Sequence, residues 1–399
     1  MGNYGGAPPR AGAPLRFGID PGLAGSAGGA QLPAVADYPS KDLAAVKALA
    51  PADRVLVVRL NRLFWSDGQS GIDAFAQMVK RYASAGFEVE LQVRYHPPSG
   101  QAGDLPAWVA YVRHVVDTFG PDPNVVAMTI TNEVNINFSP NTSDGYYAGA
   151  QEALIEGIEA AHAEAASRGY RQLRFGFTYA YRFPEDASFF SYLGAHGGAA
   201  FAAALGFVGL DFYPGTIYPP AMAPGDTYRA ELAQAAGVLR GCLAPMAGIG
   251  PNVPIWITEN GVPTGALSDA QQAGALRDLV QAASDYSGTY GITDYRWFNL
   301  RDSTSSGPST LIGPTFASFG LLRDDYSPKP SFALYRSLIA ELGAPVRPAP
   351  VPARGRACRH RRRGRGALAG ARRSCGRSGW PRRRSSRRRG RRSRRPGRR

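Results

Sequence analysis

The sequence predicts an α/β chain folded as a (β/α)8 barrel, a TIM barrel, followed by a disordered basic C-terminal tail. Three observations carry this prediction. Eight short runs of apolar and β-branched residues recur along the chain, each reading as a parallel strand buried on both faces. Between them lie segments whose apolar residues recur at helical spacing. The stretch of mixed composition ends near residue 343 of 399, a length that suits one barrel of roughly 250 residues or more.

In chain order the expected strands are 16–19, 55–60, 88–95, 125–131, 173–178, 207–212, 254–258 and 293–299. Ser40-Lys41-Asp42 and Ser268-Asp269 are helix starts, because a short polar side chain there can cap free backbone amides. Helices are expected over 71–85, 107–119 and 146–167, where Ile72, Phe75, Val79 and Tyr82, then Val109, Val112 and Val116, then Leu154, Ile155 and Ile158 form stripes. Gly86, Gly120-Pro121, Gly169 and Gly206 break the returns. Right-handed βαβ units that close on themselves leave no sheet edge. The alternative, an open doubly wound sheet, calls for a phosphate-binding glycine turn after its first strand. Gly18-Ile19-Asp20-Pro21-Gly22 lacks that pattern, and Pro21 has no amide to donate.

Composition divides the chain into 1–15, 16–343 and 344–399. The first stretch is Gly/Pro/Ala-rich and expected to be disordered, and the second is the barrel. From Val346 to Arg399 lie 23 of the 46 basic residues and none of the 31 acidic ones. The remainder therefore carries a net charge of −8, and the formal +15 belongs to the tail. Low-complexity Arg/Gly/Pro/Ser sequence buries too little to offset chain entropy and stays extended. It is also what a shifted reading frame in GC-rich DNA would yield. Nucleic acid or another anionic polymer enters only through this tail, non-specifically. Of the three cysteines only Cys242 precedes the tail, so no disulfide is expected in the barrel. No apolar run reaches the roughly 20 residues of a membrane span, and no export signal is visible.

Two glutamates stand out. Glu133 follows Val125-Val126-Ala127-Met128-Thr129-Ile130-Thr131-Asn132, and Glu259 follows Pro254-Ile255-Trp256-Ile257-Thr258. A carboxylate directly after a buried strand must be solvated or paired. In a barrel, strand ends converge on one face and supply the catalytic groups. Two carboxyls there are what acetal cleavage needs: one protonates the leaving oxygen while the other attacks the anomeric carbon. Arg59, His96, Asn132, Tyr213, Trp297 and Asn299 stand at other expected strand ends, with Asp211 preceding Tyr213. Together they make a polar and aromatic rim above an apolar barrel, suited to a sugar. Each helper has a plainer reading: Arg59 and His96 as wall residues, Tyr213 as a strand cap, Trp297 as packing. Asp302, Trp65, Tyr179 and Tyr181, with Asn299, are candidates for outer subsites.

Asn132-Glu133 and Thr258-Glu259-Asn260-Gly261 resemble the strand 4 and strand 7 motifs of clan A retaining glycoside hydrolases, family 5 being most similar. The resemblance covers about residues 16–342. It implies Glu133 as acid/base, Glu259 as nucleophile and Asn132 on the sugar 2-hydroxyl. It further implies that Arg59 and Tyr213 orient Glu259, that Trp297 lies under the reacting sugar, and that His96 is the histidine after strand 3. Asp211-Phe212-Tyr213 departs from that family's His-x-Tyr, and its strand 1 signature is missing. The resemblance implies an oligo- or polysaccharide substrate and export from the cell.

No cofactor or metal is expected. The chain lacks G-x-x-x-x-G-K-[ST], G-x-S-x-G and paired histidines on strand 1. Two other functions remain open: a non-catalytic carbohydrate-binding barrel, and anionic-polymer binding through the tail. The sugar, the linkage, endo or exo action and the oligomeric state are left open.

Overall fold

Eight parallel strands close on themselves: β1 (Arg16–Ile19), β2 (Leu56–Phe64), β3 (Glu88–Arg94), β4 (Val125–Ile130), β5 (Arg174–Ala180), β6 (Phe207–Phe212), β7 (Ile255–Asn260) and β8 (Ile292–Trp297). Strand β8 pairs with β1, Arg16 opposite Asp294 and Ile19 opposite Trp297. The structure is a computed structural model that describes residues 4–22, 35–140, 142–217, 221–265, 267–305 and 317–346. The tail expected to be disordered lies outside the described residues from 347 onward. No described helix is long and apolar enough to cross a membrane.

The principal helices follow the apolar stripes. Gly68–Ala83 buries Ile72, Phe75, Val79 and Tyr82; Leu105–Phe119 starts on Asp104, whose side chain accepts from the Ala107 amide. Asp269–Asp285 begins with a capping box in which Ser268 and Gln271 satisfy each other's backbone amides. Helix Ala150–Arg168 ends on left-handed Gly169, and Pro330–Leu342 opens with proline at its first turn.

Four expectations are corrected. Strand β2 continues to Phe64 through an irregularity between Leu60 and Leu63, so Arg59 lies within the strand and not at its end. The polar pair Asn61-Arg62, with Arg62 at φ 73°, reads in sequence as the start of a loop. Residues 4–15, expected to be disordered, form a strap across the helices. The Gly5 amide donates to Gln234, the Gly12 amide to Ser287, and the Gly288 amide to the Arg10 carbonyl. Gly237 makes this possible, because a Cβ there would collide with the Tyr4 carbonyl. Beyond 343, the Ala344 amide bonds the Leu15 carbonyl and its own carbonyl accepts from Val55. Packed backbone therefore extends past the expected boundary.

The fourth correction is the barrel interior, where a charged network shares the space with the apolar cluster of Ala127, Phe207 and Trp256. Glu90 is fully buried and accepts from Arg59 Nε at 3.2 Å and from Arg296 Nε at 3.1 Å. Arg296 also meets Asp294 at 2.9 Å. Gly18 on β1 leaves the space that the Arg296 stem occupies, where a Cβ would clash. A buried ion network holds only while each charge keeps its partners.

Replacing Glu90 by Gln should therefore cost about 3–5 kcal/mol in urea unfolding, since it strips charge from between two buried guanidiniums. Replacing Glu88, whose side chain is 35% exposed beside Arg16, should cost no more than about 1 kcal/mol. Equal costs for the two variants would contradict this account of the core.

Candidate active site

At the mouth of the barrel, β4 ends in a sharp backbone reversal. Thr131 and Glu133 have φ of 67° and 44°. A β-branched residue in the left-handed region is rare, and such outliers cost on the order of 1–3 kcal/mol each unless surroundings enforce them. The enforcing group is the buried carboxylate of Asp144. It accepts from the Asn132 amide, the Tyr95 amide and Arg94 Nε, each at 2.8 Å. The Asp144 amide in turn donates to the Asn132 carbonyl at 2.8 Å. The loop after β4 is thus pinned back over the strand end, and Ser143 Oγ donates to Glu133 Oε2 at 2.7 Å.

Glu259 is held differently. Arg59 Nη1 donates to Oε1 at 2.6 Å and the Tyr213 hydroxyl to Oε2 at 2.7 Å, so both carboxylate oxygens take strong donors. The arginine stays charged: burial lowers its proton affinity, but Glu259 and Glu90 outweigh that and raise it. The Tyr213 hydroxyl is pushed well above its ordinary value, first by burial and then by the Glu259 charge, so it donates.

The two glutamates differ in environment. Glu133 is partly exposed, and its carboxyl is pushed up to about 7 by burial and then by the Glu259 charge, against the pull of Ser143, Arg94 and Arg59. Oxygens of Glu133, Glu259 and Asp211 lie within 4.8 Å of one another. Among the described residues this is the group of carboxylates with the spacing of a cation site, and Arg59 already supplies positive charge to it. Asp20, at the end of β1, is buried beside Arg59 and takes hydrogen bonds from the Gly22 amide and from Asn61. Burial lifts it to about 7 in spite of Arg59.

The structure brings Glu133, Glu259, Arg59, Tyr213 and Asn132 together. Asn132 is 4% exposed and largely occupied: its oxygen accepts from Gln92 and Thr178, and one amide hydrogen goes to the Thr142 carbonyl. The other expected contacts are not brought to the pair. Trp297 is fully buried and donates to the Phe319 carbonyl, so it offers no face to a sugar. Alternation along β8 turns Trp297 into the barrel wall, and Phe298, itself buried, packs against Tyr213 and Phe319 instead. Asn299 is buried and donates to the Gly22 carbonyl. His96 sits at the rim, bonded to Ser66 and packed between Phe64 and Tyr147.

The residues expected at outer subsites are buried or half-buried against other side chains. Trp65 stacks on Tyr95 beneath the rim. Tyr179 is fully buried, Tyr181 packs on Phe212, and Asp302 pairs with Lys329 at 2.8 Å. Sequence reasoning assigned no role to Ser143, Asp144 or Phe298. The first two sit in a loop with no local signal, and their meaning depends on where the chain folds back.

The proton on Glu133 has a measurable consequence. The folded state binds it more tightly than the unfolded chain, so this group's contribution to stability is full below its ordinary value of 4.5 and is lost as pH rises toward about 7. Glu133→Gln should leave stability unchanged at low pH and raise it above neutrality by about 1–3 kcal/mol in denaturant unfolding. A variant no more stable than the parent at high pH would contradict the assignment.

The chain matches no protein-family model and no curated protein. Solved structures do resemble it. A β-glucosidase from Thermotoga maritima in complex with castanospermine aligns with TM-score 0.58 at 13% identity, covering 84% of this chain and 99% of that one. A GH5_18 protein from Bifidobacterium longum subsp. infantis aligns with TM-score 0.57 at 16% identity, covering 85% and 81%. The AHE enzyme from Alicyclobacillus herbarius aligns with TM-score 0.53 at 14% identity, covering 82% and 96%. The first two are clan A glycoside hydrolases, and what this chain shares with them is the closed eight-stranded parallel barrel.

Proposed function

We propose that the protein is a retaining glycoside hydrolase that cleaves β-linked glycans by double displacement, with Glu133 as acid/base and Glu259 as nucleophile. The observation that carries this reading is the unequal treatment of two neighbouring carboxyls. Glu259 takes a guanidinium and a phenol on its two oxygens, an arrangement that holds an anion. Glu133 takes one serine hydroxyl and is pushed up to about 7 by burial and by Glu259, an arrangement that holds a proton. Environments that push two acids apart are how one site supplies both an acid and a nucleophile.

Spacing supports the retaining course. One oxygen of each carboxyl lies within 4.8 Å of one of the other, an approach that suits the roughly 5–5.5 Å carboxyl separation of retaining enzymes better than the roughly 6.5–9.5 Å of inverting ones. Glu259 attacks the anomeric carbon while Glu133 gives its proton to the departing oxygen. Glu133, now an anion, then takes a proton from water as it displaces Glu259. Arg59 and Tyr213 aim the nucleophile, and Phe298 packs edge-on against that tyrosine. The T. maritima neighbour is a β-glucosidase bound to castanospermine, and a GH5_18 neighbour was solved with Manb1-4GlcNAc. Both support a sugar substrate for the shared mouth.

Glu259→Ala should reduce turnover of an aryl β-glycoside to background, and a 2-fluoro β-glycoside should label Glu259 as seen by peptide mass spectrometry. Labelling elsewhere would remove the nucleophile assignment. Glu133→Gln should slow glycosides with poor leaving groups by about 10²–10⁴-fold and spare activated aryl glycosides. In the parent, kcat/KM should fall as pH rises through about 7, the value set at Glu133, because the acid loses its proton.

A further inference from the structure

Asp211, the last residue but one of β6, is a third acid in the mouth of the barrel. It is fully buried. Its Oδ1 accepts from Thr258 Oγ1 at 2.7 Å, and its Oδ2 has no hydrogen-bond partner. Strand register sets it opposite Glu259, and an oxygen of each of Asp211, Glu133 and Glu259 lies within 4.8 Å of the others. The charged and titratable groups around it are Arg59 of β2, Glu133 after β4, Tyr179 of β5, Tyr213 after β6 and Glu259 of β7.

Three carboxylates this close cannot all ionise around one guanidinium, and Arg59 is also bound to Glu90. The protons go where an anion is least supported. Glu259 has two strong donors. Glu133 has a serine donor and partial exposure. Asp211 has a single hydroxyl and a bare oxygen. A buried polar atom without a partner costs far more on an anion than on a neutral acid. Burial, then the Glu259 and Glu133 charges, drive the Asp211 carboxyl well upward, beyond the opposing pull of Arg59 and Thr258.

We propose that Asp211 is a positioning residue that remains a neutral carboxylic acid and keeps the site at one anion throughout the reaction. The role rests on the retaining reading above. At rest the anion is Glu259 and Glu133 carries a proton. In the covalent intermediate Glu259 is an ester and Glu133 is the anion. The single negative charge changes carboxyl while Asp211, with an Oδ2–H free to donate, stays neutral beside both. An ionised Asp211 would oppose each of those anions in turn.

Infrared spectroscopy of the full-length protein tests this without turnover. At about pH 8 the protein should show the carbonyl stretch of a buried protonated carboxyl, absent in Asp211→Asn and retained in Glu133→Gln. The Glu133 titration, isolated as the difference between parent and Glu133→Gln, should move by less than about half a pH unit when Asp211 becomes Asn. Absence of the band overturns the proposal. So does a fall of the Glu133 titration by more than about one pH unit, the coupling expected if a neighbouring anion had been removed. Failure of Asp211→Asn to fold also overturns it, because asparagine reproduces the shape and hydrogen bonding of the neutral acid. After labelling with a 2-fluoro β-glycoside the Asp211 band should persist, and its loss on labelling overturns the constant-charge role. A protein that shows the band yet hydrolyses and reacts with no glycoside instead refutes the glycosidase reading and leaves the neutral acid standing.

Discussion

Arg59 connects the two halves of the molecule. Its guanidinium is fully buried, with Nε on Glu90 in the barrel interior and Nη1 on Glu259 at the mouth. A cation so far from water is tolerable only between anions, and the fold supplies them from β3 and β7. Glu90 is shared with Arg296 of β8, which is tied to Asp294 and to the Arg16 carbonyl on β1. The chain of charges therefore runs across the barrel through strands far apart in sequence. The geometry of Glu259 is inherited from the strand register, not from a loop, and a site built on strands is more rigid than one built on loops.

The barrel was legible because its signals are local. Short β-branched runs and capped amphipathic helices each announce themselves within a dozen residues, and β6 was bounded to the residue. The two glutamates were legible for a related reason: an acid directly after an apolar run is visible without knowing the partner. Arg59 and Tyr213 were found as companions of Glu259, although Arg59 lies within its strand. Its polar successors hid the continuation of β2.

What escaped depends on long-range contact or on one-residue phase. Trp297 and Phe298 are adjacent, and alternation decides which enters the barrel wall and which packs on Tyr213 at the mouth. Placing the end of β8 at residue 299 put the tryptophan on the wrong side, whereas the strand ends at Trp297. The charged interior was likewise hidden, because Glu90 and Arg296 each look like an exposed position until β3 and β8 face each other. The N-terminal strap lacks regular periodicity and is held by backbone amides that donate to side chains on helices more than two hundred residues away, which no local pattern reveals.

The loop after β4 has two duties on the same few residues. Ser143 touches the Glu133 carboxyl, and Asp144 fixes the reversed backbone on which that carboxyl is carried. The same loop folds back over the end of β4 at the mouth of the barrel. An insertion or exchange that reshaped the entrance would also change how firmly the acid grips its proton. The shape of this loop and the acidity of Glu133 are therefore mechanically linked traits. A lineage that remodelled this loop would drift in the acidity of Glu133 unless the Asp144 anchor were left intact.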